Sequence, residues 1–154
     1  MKNFSSHHKR SGQMLGVVIV LILILGGAAW WLYSHKQSMD KEGRAFGREA
    51  LNRILLNYDS TFLANSLSPE AKLQMPQSEQ NALMNQLRLL GPPAQPFKVD
   101  ENMTWQSNFF EPSGSFTAHL NYPGGPATFE IDINHPVSRW QIINIAAQLP
   151  SMAR

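Results

Sequence analysis

The sequence predicts an α+β chain: an N-terminal transmembrane helix, then a domain of two or three helices packed on a curved four-stranded antiparallel sheet. Three observations predict it. An uncharged run, MLGVVIVLILILGGAAWWLY, fills 14–33. Downstream, apolar residues recur at helical spacing as far as Leu90. From Phe97 onward the spacing becomes two, as in half-buried strands. The turns between those alternating segments are too short for crossover helices, so an antiparallel meander is expected. The organisation that follows is a basic tail over 1–13, the membrane helix over 14–33, a stalk over 34–41, an exported domain over 42–149 and a tail over 150–154.

The length of the run matches a bilayer. At about 1.5 Å per residue, its 20 residues span roughly the 30 Å hydrocarbon layer. Lys2, Lys9 and Arg10 precede it without an acid, whereas Lys36 and Lys41 after it are offset by Asp40 and Glu42. The bias in Lys and Arg keeps the N-terminus cytoplasmic and sends everything after Tyr33 outside, into the periplasm if the source is bacterial. The small residues Gly27, Ala28 and Ala29 suit a signal-peptidase site, which makes a cleaved signal the rival reading. Against it, the apolar run exceeds the usual signal core of about 7–15 residues. It also continues into Trp30, Trp31 and Tyr33, an interfacial aromatic belt in contact with lipid. Gly12, Gly16 and the Gly26-Gly27-Ala28 patch would let such helices approach one another closely.

The formal charge is +2, from 13 Lys and Arg against 11 Asp and Glu. Three of the basic residues precede the run, so the exported domain is nearly neutral and has no long basic stripe for nucleic acid. The absence of cysteine excludes disulfides, lipid attachment through a thiol, thiol catalysis and Cys-based zinc sites. The domain must therefore be held by its core, for which about 110 residues suffice.

The first helix of the domain is expected to start near Asp40, continuing or following the membrane span. Gly47, Leu51, Ile54, Leu55, Tyr58 and Phe62 form one buried stripe on it. Arg44, Arg48, Asn52 and Arg53 fall mostly on its other side, with Glu49 and Arg53 paired at i,i+4. Ser68 is a good N-cap with Pro69 in the first helical position and Glu70 favouring the dipole. Ser78 suits a second cap. Leu83, Leu87 and Leu90 mark a buried face, and Gly91-Pro92-Pro93 stops that helix.

In the first strand Phe97, Val99, Met103 and Trp105 alternate with polar residues, and only Glu101 breaks the apolar side. A bulge or an edge position would explain it. Phe116, Ala118, Leu120 and Tyr122 form the second apolar row, and Ala127, Phe129, Ile131 and Ile133 the third, across the turn Pro123-Gly124-Gly125-Pro126. The last strand is apolar on both sides from Trp140 to Ala147, which predicts a central or doubly covered position.

Helices followed by a four-stranded antiparallel sheet is the order of cystatin-like, or nuclear-transport-factor-2-like, domains. Leu67-Ser68-Pro69-Glu70, Leu90-Gly91-Pro92, Tyr122-Pro123-Gly124-Gly125 and Trp140-Gln141-Ile142 mark the steps between elements. On those motifs the chain, over roughly 42–149, resembles small membrane-anchored bacterial envelope proteins with such a domain. The resemblance implies a fold and a location; it implies no reaction, cofactor or catalytic residue. A second outline is that of type IV pilins, through Lys9-Arg10-Ser11-Gly12 ahead of the apolar helix. Cleavage after Gly12 would put Val17 where that family has a glutamate.

Related folds use a His and an Asp in the pocket between helices and sheet. His119 and Asp132 lie on neighbouring strands here, but the alternation turns both away from the pocket, towards a solvated face of cross-strand polar pairs. No HExxH, P-loop, dinucleotide-binding or nucleophile-elbow motif occurs. Asn102-Met103-Thr104 matches a glycosylation tripeptide, which matters only in a eukaryotic secretory route. Adjacent aromatics at Phe109 and Phe110, between two strands, suit either an interaction knob or a cover for the core.

The expectation is a membrane-anchored, non-enzymatic interaction or assembly module, with a protein partner or a second copy of itself. Phe109, Phe110, Trp30 and Trp31 are its candidate contact residues. The alternatives are a pocket domain for a small ligand or reaction, drawing on Asn57, Tyr58 and Asp59, and the pilin-like subunit.

Overall fold

A computed structural model describes residues 10–105 and 111–150. The chain is α+β, with four helices before four strands. The helices are α1 (Arg10–Leu55), α2 (Ser60–Ser66), α3 (Pro69–Gln74) and α4 (Gln77–Leu90). The strands are β1 (Lys98–Trp105), β2 (Pro112–Tyr122), β3 (Gly125–Asn134) and β4 (Gln141–Gln148), in the sheet order β1-β2-β3-β4. The chain divides between Ser38 and Met39 into two compact units.

The first unit contains the apolar half of α1. It is long and apolar enough to cross a membrane, with a mean hydropathy of 2.5 over its most apolar stretch. No protein covers that stretch, and Val17 through Leu25 are all exposed. Gly16, Gly26 and Gly27 face open space.

In the second unit the helical stripe is realised in two pieces. The sequence pattern predicts one helix through Phe62, but α1 ends at Leu55. Tyr58 takes φ 51°, which an α-helix does not accept, and the amides of Leu56 and Asn57 both donate to the carbonyl of Asn52. Asp59 then caps a new helix, its carboxylate accepting from the Phe62 amide at 2.8 Å. The cap at Ser68 is as expected, with Oγ accepting from the Ala71 amide at 3.1 Å. Ser78 caps nothing. Helix α4 starts two residues earlier, behind Pro76, with no side-chain cap. Its buried face is Gln80, Met84 and Leu87, and it stops at Gly91, where φ 76° favours a residue without a Cβ.

The sheet is the expected meander. Phe116, Ala118, Leu120 and Tyr122 of β2 and Ala127, Phe129, Ile131 and Ile133 of β3 are buried. They pack with Ala50, Leu51, Ile54, Leu55, Leu63, Leu67, Met84 and Leu87 from the helices. Two details differ from the sequence pattern. Strand β4 is an edge, not a central strand. A register shift pairs Ile133 with Ile142 and Asp132 with Asn144, so Ile143 is the extra residue and the apolar run changes phase. Beside that bulge the Ser68 amide donates to the Ile142 carbonyl at 2.8 Å, which ties the chain between α2 and α3 to the sheet. At Glu101, by contrast, the pairing of β1 with β2 runs without a shift. Of the two explanations for the broken alternation, the edge position is the correct one.

Two glycines set how close α1 lies to the sheet. A Cβ on Gly47 would collide with the ring of Phe116. One on Gly43 would stand 2.6 Å from both Met103 Cε and Trp140 Cη2. In a free helix, alanine is better than glycine by about 1 kcal/mol. Here the sign should reverse. Gly47→Ala is expected to lower stability by about 1–3 kcal/mol through overpacking, measured by thermal unfolding of the full chain in detergent; a higher melting temperature would contradict the packing.

Candidate functional site

From Met39 onward α1 lies alongside β1 in the opposite direction. Helices rise about 1.5 Å and strands about 3.3 Å per residue, so two helix residues keep step with one strand residue. The contacts follow that ratio. Trp105 Nε1 donates to Asp40 Oδ1 at 3.0 Å. Farther along, Arg44 Nη1 donates to Glu101 Oε2 at 3.1 Å and Arg48 Nε donates to Glu101 Oε1. Beyond them Leu51 and Asn52 of α1, and Leu56 just past its end, line one hollow with Phe97 and Val99.

The cluster of Arg44, Arg48 and Glu101 is the feature that sequence reasoning missed. Glu101 points inward from an edge strand, its side chain only 9% exposed, yet both carboxylate oxygens are taken. Its signal was in the sequence. One carboxylate stands on an apolar row, and two arginines are four apart on the preceding helix. The hydrogen bond from Arg48, reinforced by Arg44, holds the Glu101 carboxyl below the usual glutamate range although burial opposes it. Next to the cluster is a hollow of about 320 Å³, lined by Arg48, Leu51, Asn52, Leu56, Gln95, Pro96, Phe97, Val99 and Glu101. It is polar at the arginine end and apolar at the Phe97 end. A second hollow, of about 260 Å³, lies between α3 and the β4 bulge, with Leu67, Ala71, Met75, Glu79 and Ile143 among its walls.

The other sheet face carries polar pairs, as the alternation predicts. Asp100 receives Lys98 Nζ at 2.8 Å and His119 Nε2 at 3.0 Å, and these two bonds draw its carboxyl below the ordinary aspartate range. Ser115 Oγ donates to Glu130 at 3.2 Å, Asn144 Nδ2 to Asp132 at 3.0 Å, and Thr104 and Ser113 share a bond at 2.8 Å. His119 and Asp132 are not brought together. His119 sits opposite Lys98 and Thr128, and Asp132 opposite Ser115 and Asn144. Among the described residues no three His, Asp or Glu side chains converge as a metal site.

The polar residues proposed for a pocket under the helices have separate surroundings. Asn57 is exposed and Asp59 caps α2. Tyr58 Oη is buried without a protein hydrogen-bond partner, as is Tyr122 Oη. Burial, with Tyr58 nearby, pushes the Tyr122 phenol up to about 12. The large rings are apart as well. Phe62 packs on Phe46, with the Arg53 guanidinium 4.9 Å from its centroid, while Trp140 meets Gly43 and the edge of His135. Phe116 and Phe129 fill the centre.

Of the sequence-chosen contact residues, Trp30 and Trp31 are exposed on α1, and Trp31 stacks on His35 at 5.6 Å. Phe109 and Phe110 lie outside the described residues. No family model matches the chain, nor does any curated protein or solved structure.

The arginine cluster makes stability depend on acid. A lowered folded-state value means that the contribution of Glu101 is complete above the usual glutamate pKa of about 4.3 and is lost as the pH falls through the folded value. Between about pH 6 and about pH 3 the native chain should lose more stability than Glu101→Gln does. Denaturant unfolding at the two pH values measures the difference, and equal losses would contradict the ion-pair geometry.

Proposed function

We propose that the chain is a single-pass membrane-anchored, non-enzymatic docking or assembly module. In this reading α1 holds the protein in a bilayer with its N-terminus in the cytoplasm, and the α+β unit works on the other side, in the periplasm if the source is bacterial. The observation that carries the proposal is the apolar stretch of α1. It is apolar all round and no protein covers it, and hydrocarbon is the solvent that matches such a surface. Trp30, Trp31 and Tyr33 at one end suit the interface, and Lys2, Lys9 and Arg10 at the other suit the cytoplasmic side. The resemblance to membrane-anchored envelope proteins with a cystatin-like domain supports the same location.

Support for docking over catalysis comes from the polar groups of the α+β unit. On the outer sheet face Thr104 and Ser113, Ser115 and Glu130, Asp100 and His119, and Asp132 and Asn144 are spent on one another in pairs. The interior between helices and sheet is filled by Phe116, Phe129 and the aliphatic core. The exposed contact features are a sheet edge and the hollow beside it.

The chain lacks cysteine, so a single introduced thiol is a unique label. A membrane-impermeant maleimide on intact cells should label Lys72→Cys and spare Ser5→Cys. Membranes washed in alkaline carbonate should retain the chain with its N-terminus intact. A soluble chain beginning after Ala29 overturns the anchor, and one beginning at Gln13 favours the pilin-like outline. Crosslinking in the membrane should yield adducts to another protein, and a chain that is only ever monomeric overturns the docking role.

A further inference from the structure

The two edges of the sheet are not equivalent. At β4, Leu67 and Ser68 already bridge the strand at Ile142. Among the described residues strand β1 has a single strand neighbour, β2, so from Lys98 to Thr104 its other side presents the alternating N–H and C=O groups of an edge strand. Its inward-facing residues Val99 and Glu101, with Phe97 just ahead of it, form one wall of the hollow, and Arg48, Leu51 and Asn52 of α1, with Leu56 just past its end, form the other. A strand laid against β1 would therefore place alternate side chains between a sheet edge and a helix. That is the geometry of peptide recognition by strand addition, where the main chain supplies affinity and the pockets supply specificity.

We propose that β1 is the docking edge of this module, and that it accepts an extended acidic segment of another protein as a fifth strand. The occupant's chemistry follows from the walls. A residue facing Val99 enters the apolar end, among Leu51, Leu56, Phe97 and Pro96. A residue two places along the incoming strand lies on the same face and meets the arginine end. There Glu101 is one anion between two guanidiniums, so the unmatched charge is positive. Arg48, 65% exposed, bonds Glu101 through Nε, and its two Nη nitrogens have no protein partner among the described residues. The segment is thus one with an apolar residue and a carboxylate two places apart. Glu101 still excludes a wholly apolar strand, because an inward charge on an edge discourages indiscriminate pairing.

A second copy fits this edge less well. Two-fold pairing of β1 with itself, centred on Glu101, sets the two Glu101 side chains opposite each other, and centred on Val99 it sets Phe97 against Glu101.

The proposal rests on the docking reading and gives it a surface. Its test uses the full chain in detergent micelles and a blocked peptide, Thr-Thr-Val-Thr-Asp-Thr-Thr, with a control carrying Lys for Asp. Amide chemical shifts are followed to millimolar peptide. The acidic peptide should perturb the amides of residues 97–101 and bind about tenfold more tightly than the control, the scale of one hydrogen bond to a charged group. Arg48→Ala should abolish that preference, and Glu101→Gln should strengthen it. Shifts confined to other surfaces, equal binding of the two peptides, or a flat titration would each overturn the assignment of β1. None of those results touches the docking reading itself, which stands or falls on the membrane crosslinks.

Discussion

The close approach of α1 to the sheet is the constraint on which the other features rest. Gly43 and Gly47 present no side chain, so the helix backbone settles against Met103, Trp140 and the ring of Phe116. Ala50, Leu51, Ile54 and Leu55 continue the same face into the core. At that distance the neighbouring positions Arg44 and Arg48 reach over the sheet margin to Glu101. Without them, an inward carboxylate at 9% exposure would be an uncompensated charge, a cost of several kcal/mol. A larger residue at Gly47 would lift the helix and open both the packing and the ion cluster.

The short helices complete the other side of the core with polar devices, not length. Asp59 and Ser68 start two helices of seven and six residues, each too short to be stable alone. Gln80, buried at the start of α4, donates to the Met75 carbonyl at 2.9 Å and so satisfies the end of α3. The Ser68 amide holds this corner to β4. Among the described residues the outcome is a sheet with a bridge at one edge strand, β4, and none at the other, β1, which is the edge that α1 flanks.

Much of this was legible in the sequence because period two is hard to mistake. The alternation gives the rows ending at Tyr122 and Ile133 their correct inward faces, and the polar row of Asp100, His119 and Asp132 its outward one. Ser68-Pro69 and Gly91 gave true helix ends because their chemistry is local. The errors share a cause: tertiary contacts decide them. The helical spacing runs smoothly through Tyr58, yet the chain breaks there to bring Leu63 into the core, and the Asp59 cap that marks the break is a weaker signal than the periodicity. The apolar run in β4 predicts a central or doubly covered strand, because a bulge at Ile143 has no composition of its own. The alternation marks Glu101 as an anomaly, but its partners lie more than fifty positions away on α1, beyond any local pattern.

The two halves of α1 divide the work by composition: apolar all round from Met14 to Tyr33, amphipathic with small residues inward after Met39. The account depends most on the second half lying low on the sheet. Proton chemical shifts of Gly47 in the full chain in micelles test this most directly, because its Cα sits against the face of the Phe116 ring. The account predicts Gly47 Hα resonances moved far upfield by the ring current, with cross-relaxation to Phe116, and their return toward ordinary helix values in Phe116→Leu. Gly47 Hα resonances at ordinary helix positions in the native chain, with no cross-relaxation to the ring, would contradict it.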